Sequence, residues 1–526
     1  MGDTAPAKKP NFYYTTESGL PIKDPQATLR VGAKLQGVQL LQDINQIEII
    51  SHLVHERVPE RVVHAKGAGA KGYFEVTSDI SAFTSADFLS TVGKRTELRS
   101  RFSTTAGLRG SADSVRDTRG FAFKLYTDEG NLDWAFLSVP VFPIRDGGKF
   151  PSFVHAQKGT PKNLIFDTST FWEFFNANSE AFHALLMIFT DSGTPQGYQF
   201  ANIFSLNTYR FTKDAVIDPT HAIYEKTTDK HQNTFFYVKI FMKPKNGVKN
   251  FTRQEATKMA GEDPDFLGRS LFNAIEDGKK TGDFPEWEVS AQIIPPNEAE
   301  KYPVNIFDPT KTISQKDYPL IPFGKIVLNE NPTNYFQEVE QVAFCPTSIV
   351  PGWDITADPI LQTRLFAYGS AARYRVSANF MQNTANRPRY HYNPTIRDGS
   401  CIVDNLGSLP NYIPGDQDVV QIVTKPYEAQ EHNEWVGRVT AFDSVVTPDD
   451  YVQPREFWLN VLDKKEQDHL VGNLAASIVK ARKEVQLNTF DILKKINKDL
   501  GDRVEAEVAV MASNPTASDV VNHFIN

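Results

Sequence analysis

Arg364 lies four residues before Tyr368 in the run RLFAYGSAARYR. On a helix that spacing puts both side chains on one face, one turn apart. Arg373, Arg375 and Arg387 follow closely. A guanidinium beside a phenol favours the charged form of the phenol, so Tyr368 is a candidate tyrosinate. Tyrosinate is one of the axial ligand types of haem iron. Read blindly, the same run also suits an amphipathic surface helix.

Two further segments concentrate polar chemistry. In PERVVHAKGAGAKGYFEVT, His64 follows two valines and Arg61 lies three residues before it. The segment RFSTTAGLRGSADSVRDTRGFAFKLYTDEGN is dense in Arg, Ser and Asp. A core histidine and a salt-bridged surface would account for these as well. Gly67, Gly69 and Gly72 satisfy G-x-G-x-x-G, but a dinucleotide loop needs a helix after it and YFEVTSDI reads as a strand. These glycines are expected to let backbone pass close to something bulky. No pair of histidines has zincin spacing, and no nucleophile elbow or Walker loop occurs. His52 and His55 read as surface residues.

These groups need a large scaffold to hold them. The chain has 526 residues, 40% of them hydrophobic and 23% charged, which is ordinary globular composition. A net charge of −8 argues against a nucleic-acid binder. The two cysteines, Cys345 and Cys401, exclude a disulfide framework and point to a reducing compartment. No apolar run approaches the ~20 residues of a spanning helix, and MGDTAPAKKPNFYY is no secretory signal. A soluble protein of the cytoplasm or peroxisome is expected, neither secreted nor membrane-bound.

The elements are punctuated accordingly. Residues 1–65 read as an N-terminal arm and a first helix, capped by Asp43, carrying Ile44, Ile47, Ile50 and Val54 and stopped by Pro59. Residues 66–330 alternate short aromatic and β-branched runs with turn residues, suggesting a large sheet or barrel interrupted by helices at TFWEFFNANSEAFHALLMIF and RQEATKMAGED. Residues 331–446 have little periodicity and read as a wrapping segment that carries the Arg364–Tyr368 run. Residues 447–526 form a C-terminal helical domain, with apolar faces at Leu470, Leu474, Ile478, Ile492, Ile496 and Leu500 and Gly501 as a C-cap.

Together, PERVVHAKGAGA, the RFST to EGN segment and RLFAY resemble the three signatures of the monofunctional haem catalases; FPSFVHAQK, EDPDF, LFNAI and PREFW add further matches. The resemblance runs over nearly the whole chain. It implies an α+β catalase fold: an antiparallel β-barrel with an arm, a wrapping loop and a helical C-terminal domain. It also implies haem b and a homodimer or homotetramer. His64 matches the distal acid/base and Ser103 its companion. Tyr368 matches the iron ligand and Arg364 the group that keeps it ionised. Arg61, Arg101 and Arg375 match the partners of the haem propionates, with Val63, Phe150 and Phe153 in the matching haem-pocket segments. Asp117 matches the aspartate of the substrate channel.

The departures from the family pattern carry information. The position of a peroxide-binding asparagine is Leu137, which has no hydrogen-bond donor to offer. Gly369-Ser370-Ala371-Ala372 replaces Pro-Asp-Thr-His. In the nucleotide region the run Tyr198–Ile203 lacks two histidines and an arginine, whereas Lys243 is kept; these changes weigh against NADPH. The stretch Asp214–Thr234 looks longer than the family norm. The pattern is similar in kind to the fungal catalase-like chanoclavine synthases of ergot alkaloid biosynthesis. That likeness implies radical oxidative cyclisation of an aromatic alkaloid precursor, driven by peroxide or superoxide, with Tyr198, Asn202 and Lys243 near the organic substrate. The alternatives are an ordinary catalase acting on hydrogen peroxide and a non-catalytic haem-binding protein.

Overall fold

The computed structural model describes residues 13–32, 37–213, 235–390, 393–413, 441–442 and 444–513. The long stretch Asp214–Thr234 and part of the wrapping segment, 414–440, lie outside the described residues. Contacts divide the chain into two compact units, Met1–Pro59 and Glu60–Asn526.

In the first unit Arg30–Val31 pairs antiparallel with Val38–Gln39. Helix α1 (Ile44–Leu53) starts where the sequence predicts, because the Asp43 carboxylate accepts a hydrogen bond from the Gln46 N–H. It ends at Leu53, short of the Pro59 expected to stop it.

The second unit is built on eight strands: β1 (Gly67–Val76), β2 (Arg95–Thr104), β3 (Arg119–Thr127), β4 (Gly130–Leu137), β5 (Ile203–Phe204), β6 (Phe235–Pro244), β7 (Glu286–Ile294) and β8 (Ile321–Glu330). Each pairs antiparallel with the next, and β8 pairs back onto β1, so the sheet closes into a barrel. Closure removes the unpaired edges that an open sheet would expose. Alternate residues point inward: Phe121, Phe123 and Leu125 on β3, and Leu132, Trp134 and Phe136 on β4, are all buried. Phe74 meets Trp134 edge-on at 5.7 Å between ring centroids.

The glycines of β1 do what the sequence suggested. A Cβ at Gly67 would lie 2.5 Å from the Phe102 carbonyl oxygen and 2.9 Å from the Arg101 guanidinium. One at Gly69 would meet Val339 at 2.7 Å.

The α-helices of six residues or more among the described residues of this unit are α2 (Phe150–His155), α3 (Thr168–Ala177), α4 (Phe182–Phe189), α5 (Arg253–Glu262), α6 (Phe266–Thr281), α7 (Pro359–Arg375), α8 (Lys464–Ile478), α9 (Lys483–Ile496) and α10 (Lys498–Ser513). Helices α3, α4, α8, α9 and α10 share a second core that holds Trp172, Leu185, Leu474, Leu493 and Leu500. All six predicted apolar residues of the C-terminal helices are buried.

One expectation is corrected there. Gly501 does not cap a helix; it lies inside α10. The break falls at Asn497, and a Cβ on Gly501 would come within 2.7 Å of the Lys494 backbone nitrogen. The glycine serves close packing between α9 and α10. The segment 331–446 contains the 17-residue α7, the helix that carries the Arg364–Tyr368 run. Asp358 caps α7 by accepting from Ile360 and Leu361, and Pro359 occupies the first turn, where its missing N–H costs nothing.

Candidate active site

Tyr368 sits on α7, and Arg364, one turn earlier, donates from Nη2 to its hydroxyl at 3.2 Å. The guanidinium carbon lies 5.0 Å from the Tyr368 ring centroid. The same Nη2 donates to the Ala135 carbonyl of β4 at 2.6 Å, and Nη1 donates to Asn207 Oδ1 at 2.6 Å. Asn207 Nδ2 in turn donates to Asp358 Oδ2 at 2.8 Å. The cap of α7 and the arginine on its inner face are thus tied to one asparagine. Burial works against the Arg364 charge, but the oxygens of Tyr368 and Tyr209 outweigh it and raise the guanidinium above its ordinary value.

His64 occupies the loop before β1 with φ of 63°, the left-handed region that a non-glycine residue rarely adopts. Such a conformation persists only where its surroundings impose it. Here the His64 N–H donates to the Thr105 carbonyl at 2.9 Å, and Arg101 clamps the carbonyls of His64 and Ala65 at 2.6 and 2.9 Å. His64 Nδ1 lies 3.0 Å from Ser103 Oγ and 3.1 Å from the Thr104 carbonyl oxygen. A carbonyl only accepts, so Nδ1 carries the proton and Nε2 keeps its lone pair. Burial, with the Arg101 charge second, lowers the imidazole pKa from 6.5 to about 3. The ring is therefore neutral at physiological pH. Arg364 also contributes to that depression, which puts the histidine and the tyrosine–arginine pair in one electrostatic neighbourhood.

Gly120 of β3 makes room for this ring: a Cβ there would stand 2.5 Å from His64 Nδ1. Leu137 pairs with Gly120 across the β3–β4 ladder and is buried with Val139 and Leu206. Asp117 Oδ2 accepts from the Thr105 and Ala106 N–H groups at 2.6 and 2.8 Å, and burial raises its pKa. Asp117, Leu137 and Phe153 share the wall of one cavity of about 730 Å³. Phe153 is buried 5.7 Å from Phe142 and 6.2 Å from Phe150, and Val63 and Phe150 pack against the same helical core.

Arg61, Arg101 and Arg375 gather as the sequence predicts. Arg61 donates to the Val339, Glu340 and Val342 carbonyls at 3.2, 2.9 and 2.9 Å. Arg375 reaches Glu340 Oε1 at 3.0 Å and Arg61 reaches it at 3.4 Å. Burial lowers all three guanidiniums, and Arg61 is lowered further by the charges of Arg101 and Arg375. Arg101 forms no ion pair among the described residues, and its buried Nε has no acceptor. A group bringing two carboxylates would relieve this crowding, so the residues present fit a haem with its propionates here and an iron ligand at Tyr368.

The remaining predicted residues lie off the cavity that Leu137 lines, although the pairing of Ile203 with Met242 brings Asn202 beside Lys243. Tyr198 is fully buried in the barrel core, with its ring 5.7 Å from Phe102. Lys243 is exposed on β6, and Asn202 lies just before β5. None of the three lines the 730 Å³ cavity. The expectation that they face one organic-substrate cleft has no counterpart in that cavity.

Comparison with known sequences agrees with this geometry. The sequence model described as Catalase matches residues 15–418, and the one described as Catalase-related immune-responsive matches 446–508. The chain is 50% identical over 468 residues to "Catalase A" of Botryotinia fuckeliana, covering 88% of this chain and 93% of that one. It is 42% identical over 501 residues to "Peroxisomal catalase" of Candida albicans, covering 94% and 98%. The crystal structure of a fungal catalase superposes with a TM-score of 0.88 at 38% identity, covering 98% of this chain and 99% of that one.

The chain belongs to the catalase family.

In this catalase-family oxidoreductase Arg364 and Tyr368 are hydrogen-bonded and His64 is held by Ser103 and Thr104. Sequence reasoning missed Asn207, Asp358, Glu340 and Gly120. Asn207 and Asp358 sit in unremarkable polar stretches and meet Arg364 only in three dimensions. Glu340 is one of two acids in QEVEQ, and its burial alone marks it. Gly120 stood within a quoted motif, but nothing local says that a histidine packs on it.

Proposed function

We propose that the protein binds haem b and converts hydrogen peroxide to water and oxygen. The observation that carries the reading is the pairing of a neutral distal imidazole, Nδ1–H held by Thr104, with the Arg364–Tyr368 hydrogen bond. Relatives named catalases at 50% and 42% identity support peroxide as substrate over the alkaloid-cyclisation reading.

In this reading the Tyr368 oxygen would ligate the iron, with Arg364 stabilising its negative charge. Arg61, Arg101 and Arg375 would hold the propionates, and Val63, Phe150 and Phe153 would provide apolar contact. The bound haem supplies the iron redox chemistry of peroxide cleavage. His64 Nε2 accepts a proton from one peroxide oxygen and returns it to the other, which makes that oxygen a water-like leaving group. Ser103 and Thr104 keep the ring in the tautomer that permits this. Asp117 and Leu137 line the approach. The reading needs neither NADPH nor the Tyr198–Lys243 region. Peroxisomal or cytoplasmic residence fits relatives named peroxisomal, and no helix among the described residues is long and apolar enough to cross a membrane. A homodimer or homotetramer remains part of the proposal.

The purified protein should show a Soret band and evolve oxygen from peroxide; a colourless protein that takes up no haem would remove the reading. A second reading rests on Leu137 and the cavity beside it: oxidation of an organic molecule at the expense of peroxide, of which chanoclavine-type cyclisation is one form. Accumulation of an oxidised product from prechanoclavine under a peroxide or superoxide source would support that form.

A further inference from the structure

The cavity beside Leu137 is larger and more positively charged than hydrogen peroxide requires. Peroxide is small and neutral, whereas about 730 Å³ lies within the range of drug-sized ligand pockets. The wall is two-sided in character. Leu137, Val139 and Phe153 give it an apolar side next to the Gly120–His64 contact. The same cavity is lined by four cations, Arg116, Lys158, Arg253 and Lys480, against two carboxylates, Glu60 and Asp117.

Three of these cations are not held in close ion pairs, although Asp191 lies near Arg116 and Asp117 and Glu60 lie near Lys158. Arg116, Lys158 and Arg253 form no ion pair among the described residues. Arg116 spends Nη1 on the Ile188 and Thr190 carbonyls, and its buried Nη2 has no partner. Lys158 donates to the Ala106 carbonyl at 2.5 Å. Asp117 is already engaged by two backbone N–H groups. Cations held beside an apolar wall at this density match a ligand with one anionic end and an apolar body.

We infer that this cavity binds an organic monocarboxylate with an apolar body, its carboxylate beside Arg116 and Arg253 and its body against Leu137, Val139 and Phe153. The ligand's role as a substrate rests on the second reading above; its binding does not.

The test is calorimetric titration of the haem-loaded full chain with 4-phenylbutyrate and, as a neutral match, 4-phenylbutanamide. The carboxylate should bind about tenfold more tightly than the amide. Arg253→Gln should remove most of that preference and leave amide binding unchanged. Leu137→Trp should weaken both ligands by filling the apolar side. The Soret band and circular dichroism check that each variant is folded, and Arg253→Lys should retain the preference. Equal affinity for acid and amide, no heat with either at millimolar concentration, or a preference untouched by Arg253→Gln would overturn the inference. Oxygen evolution without added acid tests the peroxide reading separately, so the two can fail independently.

Discussion

Arg364 Nη1 donates to Asn207 Oδ1 at 2.6 Å across 157 residues of sequence, while its Nη2 points at Tyr368. The arginine is held from behind, so its charge is fixed where the phenol oxygen needs it. Because Asn207 also donates to Asp358, the helix cap, the arginine and the tyrosine form one braced unit. Preorganisation of this kind keeps a charged side chain from relaxing away from the group it stabilises.

Removing the brace should therefore be costly. Asn207→Leu removes one buried hydrogen bond from Arg364 and one from Asp358, while their bonds to Ala135, Ile360 and Leu361 remain, at about 1–3 kcal/mol for each lost partner. Denaturant unfolding of the haem-loaded variant should show a loss of a few kcal/mol, with a shifted Soret maximum. An unchanged midpoint and spectrum would mean that the asparagine braces nothing.

Replacing the tyrosine addresses the proposed iron ligand itself. Tyr368→Phe should lose the spectrum of a phenolate-ligated ferric haem and at least a thousandfold in oxygen evolution. Retention of the wild-type spectrum would place another side chain on the iron.

The distal histidine makes a prediction in pH. Its folded value of about 3 lies below 6.5, so between these values the unfolded chain binds a proton that the folded chain refuses. Stability therefore rises with pH across this window, and this contribution is lost as pH falls from about 6.5 toward 3. Thermal unfolding of His64→Gln should be less steeply pH-dependent there than that of the parent. His64→Ala should cost about 10²–10⁴-fold in peroxide turnover, the usual scale of general acid–base help.

Gly120→Ala tests the positioning of that ring. The added methyl would overlap His64 Nδ1, 2.5 Å from the new carbon. The variant should fold and bind haem, yet lose peroxide turnover roughly as His64→Ala does, and crystallography should find the imidazole displaced.

Leu137→Asn places a donor in the apolar end of the cavity. If the wild-type pocket handles peroxide without help from this position, turnover rises by no more than about tenfold, the worth of one hydrogen bond. A larger gain would identify Leu137 as a device against peroxide, strengthening the organic-oxidation reading.

The sequence by itself determined the family, through three long motifs that resemble the catalase signatures, and local pattern placed the strands and helices and set Arg364 against Tyr368. Alternating apolar residues specify strands, three- and four-residue spacing specifies helices, and a four-residue step on a helix puts Arg364 against Tyr368 wherever that helix lies. The tertiary structure alone decided which distant groups complete the site. Asn207, Asp358, Glu340 and Gly120 act through contacts whose partners lie far off in sequence, and no local periodicity encodes such a partner. It also showed Tyr198 sealed in the barrel core and Gly501 inside a helix, since burial and close approach are properties of packed neighbours. The charge and volume of the cavity beside Leu137 are of the same kind, for Arg116, Lys158 and Arg253 face one space only once the chain has closed around it.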